Sequence, residues 1–116
     1  MKYRNNMRVP SAENAVIDIR KLRDYCLNPN HEVGKHKARV FRTTLNLTEK
    51  DAPILQAALL EAVKTVEAEI GKFDEHGQRY TVDFEFAYND HRAIIRSGWI
   101  IDAKTKIPRL VTCLIL

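Results

Sequence analysis

The strongest constraint on the fold is a strict alternation of apolar and polar residues between positions 79 and 86. The apolar positions are Tyr80, Val82, Phe84 and Phe86. Successive side chains of a strand point to opposite faces, so this pattern predicts a strand with one buried side and one solvent-facing side. A hairpin loop at Tyr88–His91, a second strand over 93–102 and a third from Ile107 or Arg109 to Leu116 extend it into an antiparallel meander.

Helical patterns precede the sheet. Two short helices are predicted over 19–27 and 35–43, separated by Pro29, which cannot continue a helix. A long helix begins at Thr48 and ends before Gly71. Its apolar stripe consists of Leu55, Leu59, Ala62, Val63, Val66 and Ile70. The sequence therefore predicts an α+β fold in which two short helices and one long helix pack on an antiparallel β-meander of three or four strands.

The chain length of 116 residues fits one domain, which we assign to 14–116 after a leader over 1–13. No apolar run approaches the roughly 20 residues needed to cross a bilayer, so a membrane location is not predicted. A cytoplasmic location is predicted, because the two cysteines indicate thiols in a reducing compartment. Cys26 and Cys113 lie in apolar patterns and are predicted to be buried thiols. Neither a metal nor a cofactor is predicted.

The charge distribution indicates an anionic partner. The net charge is +4, and residues 1–43 contain ten Lys and Arg against four Asp and Glu. A basic segment of this kind favours nucleic acid as the partner. The alternative is a charged surface that only keeps the chain in solution.

The basic stretch from His31 to Arg42 contains most of the candidate site residues. These are His31, Lys35, His36, Lys37, Arg39 and Arg42. RNA cleavage without a metal needs a base, an acid and cations that stabilise developing charge, and His, Lys and Arg supply these groups. The competing interpretation, which residue types alone favour, is a solvated helix surface.

Arg96 lies in a strand whose two faces are both largely apolar, so we expect it to be partly buried or held by a partner. That partner is either a carboxylate, Asp83 or Glu85, or a ligand phosphate. Arg109 and Thr112 on the last strand are weaker candidates of the same kind, because a strand threonine more often simply packs.

Several separated motifs together resemble a known family. They are Lys21-Leu-Arg-Asp-Tyr-Cys-Leu-Asn-Pro-Asn-His31, Gly34-Lys-His-Lys-Ala-Arg-Val-Phe41, Gly77-Gln-Arg-Tyr80, Arg96-Ser-Gly-Trp-Ile100 and Pro108-Arg-Leu-Val-Thr112. The chain resembles, over 14–116, a bacterial family of small domains whose function is not established. Its members occur alone and as the last domain of secreted polymorphic toxins.

A looser resemblance concerns the order of elements. Helices followed by an antiparallel sheet, with a His/Lys/Arg-rich helix, are similar to the barnase–EndoU–colicin–RelE group of metal-independent toxin ribonucleases. This resemblance implies His31, His36, Lys37, Arg96 and Thr112 as catalytic candidates. It implies Lys35, Arg39 and Arg109 as phosphate-binding candidates. The basic stretch is then expected to face Arg96 across a cleft.

Two functions follow from these patterns. The first is a ribonuclease toxin domain that cleaves RNA in the bacterial cytoplasm, with a cognate immunity protein or antitoxin as its partner. The second is a non-catalytic binding module, either an immunity protein or an adaptor for nucleic acid or protein. The positions of the candidate side chains distinguish them, because catalysis requires those side chains to converge.

Overall fold

A single antiparallel sheet forms the centre of the computed structural model, which describes residues 7–116. Its strands follow one another in space as they do in sequence. They are β1 (Glu69–Asp74), β2 (Gly77–Tyr88), β3 (His91–Asp102) and β4 (Pro108–Ile115). The predicted α+β fold with a β-meander is confirmed, and the meander has four strands.

Three helices pack against this sheet. Helix α1 is regular over Ile19–Lys21 and continues as a π-helical turn over Leu22–Cys26. Helix α2 covers Lys35–Leu45, and α3 covers Ala52–Thr65. Short 3-10 turns at Ala12–Asn14 and Glu49–Asp51 precede α1 and α3. None of the helices in the described chain has the length and apolarity of a membrane span.

The end of the long helix differs from the prediction. Helix α3 ends at Thr65, and Val66 adopts extended backbone angles. Ile70 and Gly71 belong to strand β1, where the Ile70 side chain is 56% exposed. The apolar stripe was misleading because Val66 and Ile70 are four residues apart, as on one face of a helix, and together with Ala68 they also fit the period of two of a strand. In addition, the β-branched Thr65 and Val66 favour an extended chain.

The hairpin between β2 and β3 is tighter than the predicted four-residue loop. Its two loop residues, Asn89 and Asp90, have φ values of 47° and 68°. Positive φ at both central residues is the geometry of a type I′ turn, which Asn and Asp tolerate well. This turn fixes the register that pairs Asp83 with Arg96.

The core lies between the helices and one face of the sheet. Its largest fully buried side chains include Trp99, Phe41, Leu22, Leu55 and Leu59. Within it the Trp99 indole donates to the Ser97 hydroxyl at 2.9 Å, and Ser97 donates to the Val82 carbonyl at 2.7 Å. Val9 and Ala12, in the segment assigned to the leader, are also buried here, while positions 1–6 of that leader lie outside the described residues.

The two faces and one edge of the sheet matter for function. The face opposite the helices, here called the open face, carries exposed Ile94 and Arg96. Strand β4 is an edge strand, and a segment at Val16 runs beside it, bonding to Pro108 and Leu110. Beyond this point β4 is irregular, because Thr112 pairs with Gly98 whereas Leu110 pairs with Trp99. Val111 is therefore the extra residue of a β-bulge.

Candidate functional site

A cleft opens where helices α1 and α2 meet the bulged edge of β4. We call it the edge cleft. It has a volume of about 490 Å³ and is lined by Lys21, Tyr25, Lys37, Val111 and Thr112. The two lysines, the tyrosine and the threonine are all half-buried.

Lys37 organises the cleft. Its Nζ donates a hydrogen bond to Thr112 Oγ1 at 2.9 Å and lies 5.3 Å from the centre of the Tyr25 ring. An ammonium over an aromatic face is attracted by the electron density of the ring. Because Thr112 accepts from Lys37, its own hydroxyl proton is directed elsewhere and can serve a ligand in the cleft.

The bulge brings a second lysine to the same place. Lys21 Nζ donates to the Val111 carbonyl oxygen at 3.1 Å. A bulge interrupts the ladder of backbone hydrogen bonds, so the Val111 carbonyl can face a side chain instead of a neighbouring strand. Lys21 and Tyr25 are four residues apart on α1 and share one side of the helix.

The electrostatics of the edge cleft favour an anion. No carboxylate from the described part of the chain, residues 7–116, lines it. Neither Lys21 nor Lys37 forms an ion pair with any carboxylate of residues 7–116. Two half-buried ammonium groups without a paired carboxylate create a positive potential that a phosphate would neutralise.

His31 lies beside the cleft, but its ring is already engaged. Its Nδ1 accepts from the backbone amides of Val33 and Gly34 at 3.1 and 2.9 Å. The ring packs edge-on against Tyr25 with 4.7 Å between the ring centres. Since Nδ1 accepts two hydrogen bonds, the neutral imidazole carries its proton on Nε2. His31 therefore fixes the start of α2 and the position of Tyr25.

Two buried thiols lie beneath the edge cleft. Cys26 on α1 and Cys113 on β4 are both fully buried, as predicted, and both are free thiols. The pKa of the Cys26 thiol is lowered to about 7, mainly by the hydrogen bonds with Cys113 and to a smaller extent by the nearby charges of Lys37 and Lys21. The same hydrogen bond, together with burial, raises the pKa of the Cys113 thiol. The pair thus joins helix α1 to the edge strand directly under the lysines.

The remaining residues of the basic stretch face other directions. Lys35 and Arg39 line a separate groove of about 150 Å³ that includes Pro29 and Thr48. His36 is exposed on the surface of α2. Neighbouring residues of a helix are about 100° apart around its axis, so Lys37 alone among these cations reaches the edge cleft.

Arg96 does not take part in the edge cleft. Its guanidinium donates two hydrogen bonds to the Asp83 carboxylate, at 2.8 and 2.7 Å, and the side chain is 47% exposed on the open face. This bond raises the pKa of Arg96. Asp83 is one of the two carboxylates considered as partners from the sequence. The expected cleft between the basic stretch and Arg96 is not found, because α2 packs on the opposite face of the sheet.

Two of the polar side chains of the cleft were absent from the sequence-derived site. Tyr25 shares a helix face with Leu22 and Cys26, a pattern that is typical of a core residue, and it was not among the sequence-derived candidates. Lys21 was not selected, although its spacing of four from Tyr25 places both on one side of a helix. That spacing was the available signal, whereas the β4 bulge that brings Thr112 to the same place has no signature in the sequence.

The chemistry available in the edge cleft is that of cations and hydroxyl groups. Two ammonium groups and the hydroxyls of Tyr25 and Thr112 can bind a phosphate and stabilise charge that develops on it. Among residues 7–116, no three His, Cys, Asp or Glu side chains are grouped in a way that could hold a metal ion.

Comparison with known proteins gives one similar solved structure and one family. A chain of the contact-dependent growth inhibition toxin–immunity protein complex from Klebsiella pneumoniae 342 is similar, with a TM-score of 0.62 and 14% sequence identity. The match covers 90% of this chain and 96% of that chain, and at this identity it shows a shared fold. No curated protein matches the chain. The family model described as a domain of unknown function (DUF6883) matches residues 8–116, and the chain belongs to this family.

Proposed function

We propose that the chain is a metal-independent ribonuclease toxin domain whose active site is the edge cleft. The observation that carries the proposal is the convergence of two lysines and two hydroxyl side chains in a cleft lined by no carboxylate. An RNA phosphate is an anion of suitable size and geometry for such groups. The site acts in the bacterial cytoplasm, where RNA is accessible.

The reaction is an internal transfer of the phosphate. The 2′ oxygen of one ribose attacks the adjacent phosphorus, and the bond from phosphorus to the 5′ oxygen of the next nucleotide breaks. The 2′ hydroxyl loses its proton to water, and the 5′ oxygen gains one. The products are a 2′,3′-cyclic phosphate and a free 5′ hydroxyl, and all the bonds formed and broken at phosphorus belong to the RNA itself.

Each residue of the edge cleft has a role in this scheme. Lys37 and Lys21 stabilise the negative charge on the phosphate oxygens, and the Thr112 hydroxyl donates to one of them. We assign the proton transfer to the 5′ oxygen to the Tyr25 hydroxyl, since Tyr25 lines the cleft beside Lys37. The Tyr25 phenolate then regains a proton from water, which has taken up the proton of the 2′ hydroxyl. His31 is a positioning residue, because protonation of its Nδ1 would break its two backbone hydrogen bonds.

The fold supports a place in a toxin–immunity system. The similar solved chain belongs to a complex of a growth inhibition toxin with its immunity protein. If this chain is the toxin component, its cognate immunity protein should cover the edge cleft and present carboxylates to Lys21 and Lys37. Complementary charge of this kind speeds association and excludes other partners.

Inducible expression of the chain in bacterial cells tests the proposal. The wild type is expected to stop growth and fragment cellular RNA, whereas Lys37→Met is expected to allow growth at the same protein level. Co-expression of the cognate partner should restore growth to cells that make the wild type.

Unimpaired growth with intact RNA, despite folded wild-type protein, would contradict the proposal. In that case the better account is the alternative function, in which the chain is an immunity protein or an adaptor that binds its partner and does not cleave RNA. A partner that binds both the wild type and Lys37→Met equally well in such cells would support that alternative.

A further inference from the structure

A second basic groove lies on the open face, next to the edge cleft. It has a volume of about 320 Å³. Basic side chains from two strands and two turns line it, namely His76, Arg79, Lys104 and Arg109, together with the carboxylates of Glu75 and Asp102. Glu75 lies 3.7 Å from the His76 imidazole. Val111 lines both this groove and the edge cleft, so the two are contiguous around the bulged edge of β4.

The sheet register builds the centre of this groove. Ile100 on β3 pairs with Arg79 on β2 and with Arg109 on β4. Neighbouring strands are about 4.8 Å apart, so the two arginines flank Ile100 with their Cα atoms about 10 Å apart. Ile100 is only 2% exposed, although it faces away from the helices. We attribute this burial to the aliphatic stems of the flanking arginines, because such stems pack on apolar surface while the guanidinium groups stay in water.

Within residues 7–116, the two carboxylates of the groove lie next to His76 and Arg109 and not next to Arg79. The Asp102 carboxylate accepts hydrogen bonds from the backbone amides of Lys104 and Thr105, at 2.7 and 3.2 Å. It also lies 3.9 Å from the Arg109 guanidinium. The Asp102 carboxylate thus holds the turn and orients Arg109. Arg79 forms no ion pair with any carboxylate of residues 7–116.

We infer that this groove binds the RNA backbone beside the phosphate that is cleaved, an inference that rests on the proposed function. The Cα atoms of Thr112 and Arg109 are three residues apart on β4, a distance of about 10 Å. Consecutive phosphates of an RNA strand are separated by six backbone bonds, so a phosphate one or two nucleotides from the cleaved one can reach across that distance. RNA bound in the edge cleft therefore crosses the β4 edge at Val111 and reaches Arg109 and Arg79.

Binding of an uncleavable RNA tests this inference. A fluorescent 2′-O-methyl RNA oligonucleotide keeps the phosphates and lacks the attacking hydroxyl, and its affinity is measured by anisotropy over a range of salt concentrations. The double variant Arg79→Gln/Arg109→Gln keeps much of the stems over Ile100 and removes both charges. The matched control is Arg92→Gln, because Arg92 lies near the far end of β3 and is 76% exposed.

The double variant is expected to weaken RNA binding at every sequence tested. The slope of log affinity against log salt should fall by about 1 for each lost phosphate contact. Arg92→Gln should retain the wild-type affinity and slope, and thermal unfolding should show that both variants are folded.

An unchanged affinity and salt slope in the double variant, while the wild type still cleaves RNA, would overturn this inference and leave the proposed function standing. Failure of the wild type both to bind the oligonucleotide and to cleave RNA would overturn both. If the double variant still binds RNA and loses only its binding to the cognate protein partner, the groove is a protein interface and the inference is wrong.

Discussion

Lys37→Met is expected to lower the rate of RNA cleavage by about 100-fold or more, because removing one preorganised donor from a site of developing charge typically costs that much. The methionine keeps an unbranched stem over Tyr25 and removes the ammonium that binds Thr112. The measurement is the single-turnover rate of cleavage of a labelled RNA by the purified protein. Lys37→Arg, which keeps the charge, should recover part of the rate.

Lys35→Met is the matched control for this variant. Lys35 lies on the same helix, is exposed and lines a different groove. The Lys35→Met variant should cleave RNA at close to the wild-type rate. The free energy of unfolding of both variants should stay within about 1 kcal/mol of the wild-type value. Equal loss of activity in both variants would mean that diffuse positive charge acts and that the edge cleft is not the active site.

Gly77→Ala is expected to destabilise the fold by about 3 kcal/mol, at the upper end of the usual cost of a strained backbone position. Gly77 has a φ of 135°, a conformation that is essentially restricted to glycine. A Cβ at this position would overlap the carbonyl oxygen of Ile101 on the paired strand. The hairpin between β1 and β2 would have to shift, and chemical denaturation of the purified variant measures the loss.

Gly71→Ala on the same hairpin provides the comparison. A Cβ on Gly71 would lie 3.4 Å from its nearest neighbour, the Arg79 carbonyl oxygen, which is an ordinary contact, and the position is exposed. Its stability should remain within about 0.5 kcal/mol of the wild type. If both variants unfold at the same denaturant concentration, the strain assigned to Gly77 is absent.

The fold was predictable where local pattern and tertiary packing agree. The alternation at 79–86 belongs to a strand with one side against the helices, so each residue's character matches its face. The prediction of the long helix was wrong after Thr65, because Val66 and Ile70 fit both the spacing of a helix and the period of two of a strand. Only the pairing of Glu69 with Thr81 resolves that ambiguity in favour of a strand, and this contact is not local.

The candidate site was predictable in residue type more than in position. The basic stretch correctly drew attention to Lys37, but its neighbours Lys35 and Arg39 face another groove. Arg96 was assigned to a cleft because an arginine in an apolar strand needs a partner, and its partner is Asp83 across the hairpin. The register that pairs them depends on the two-residue turn, which is shorter than the predicted loop.

The most direct test of the account is cleavage of RNA by the purified chain in the presence of EDTA. The substrate is an RNA oligonucleotide with a mapped cleavage position, compared with the same oligonucleotide carrying a 2′-deoxy sugar there. The account predicts cleavage of the first alone, with 2′,3′-cyclic phosphate and 5′ hydroxyl ends and no effect of EDTA. Cleavage of both, dependence on a divalent metal, or intact RNA after incubation with the folded wild-type protein would contradict it.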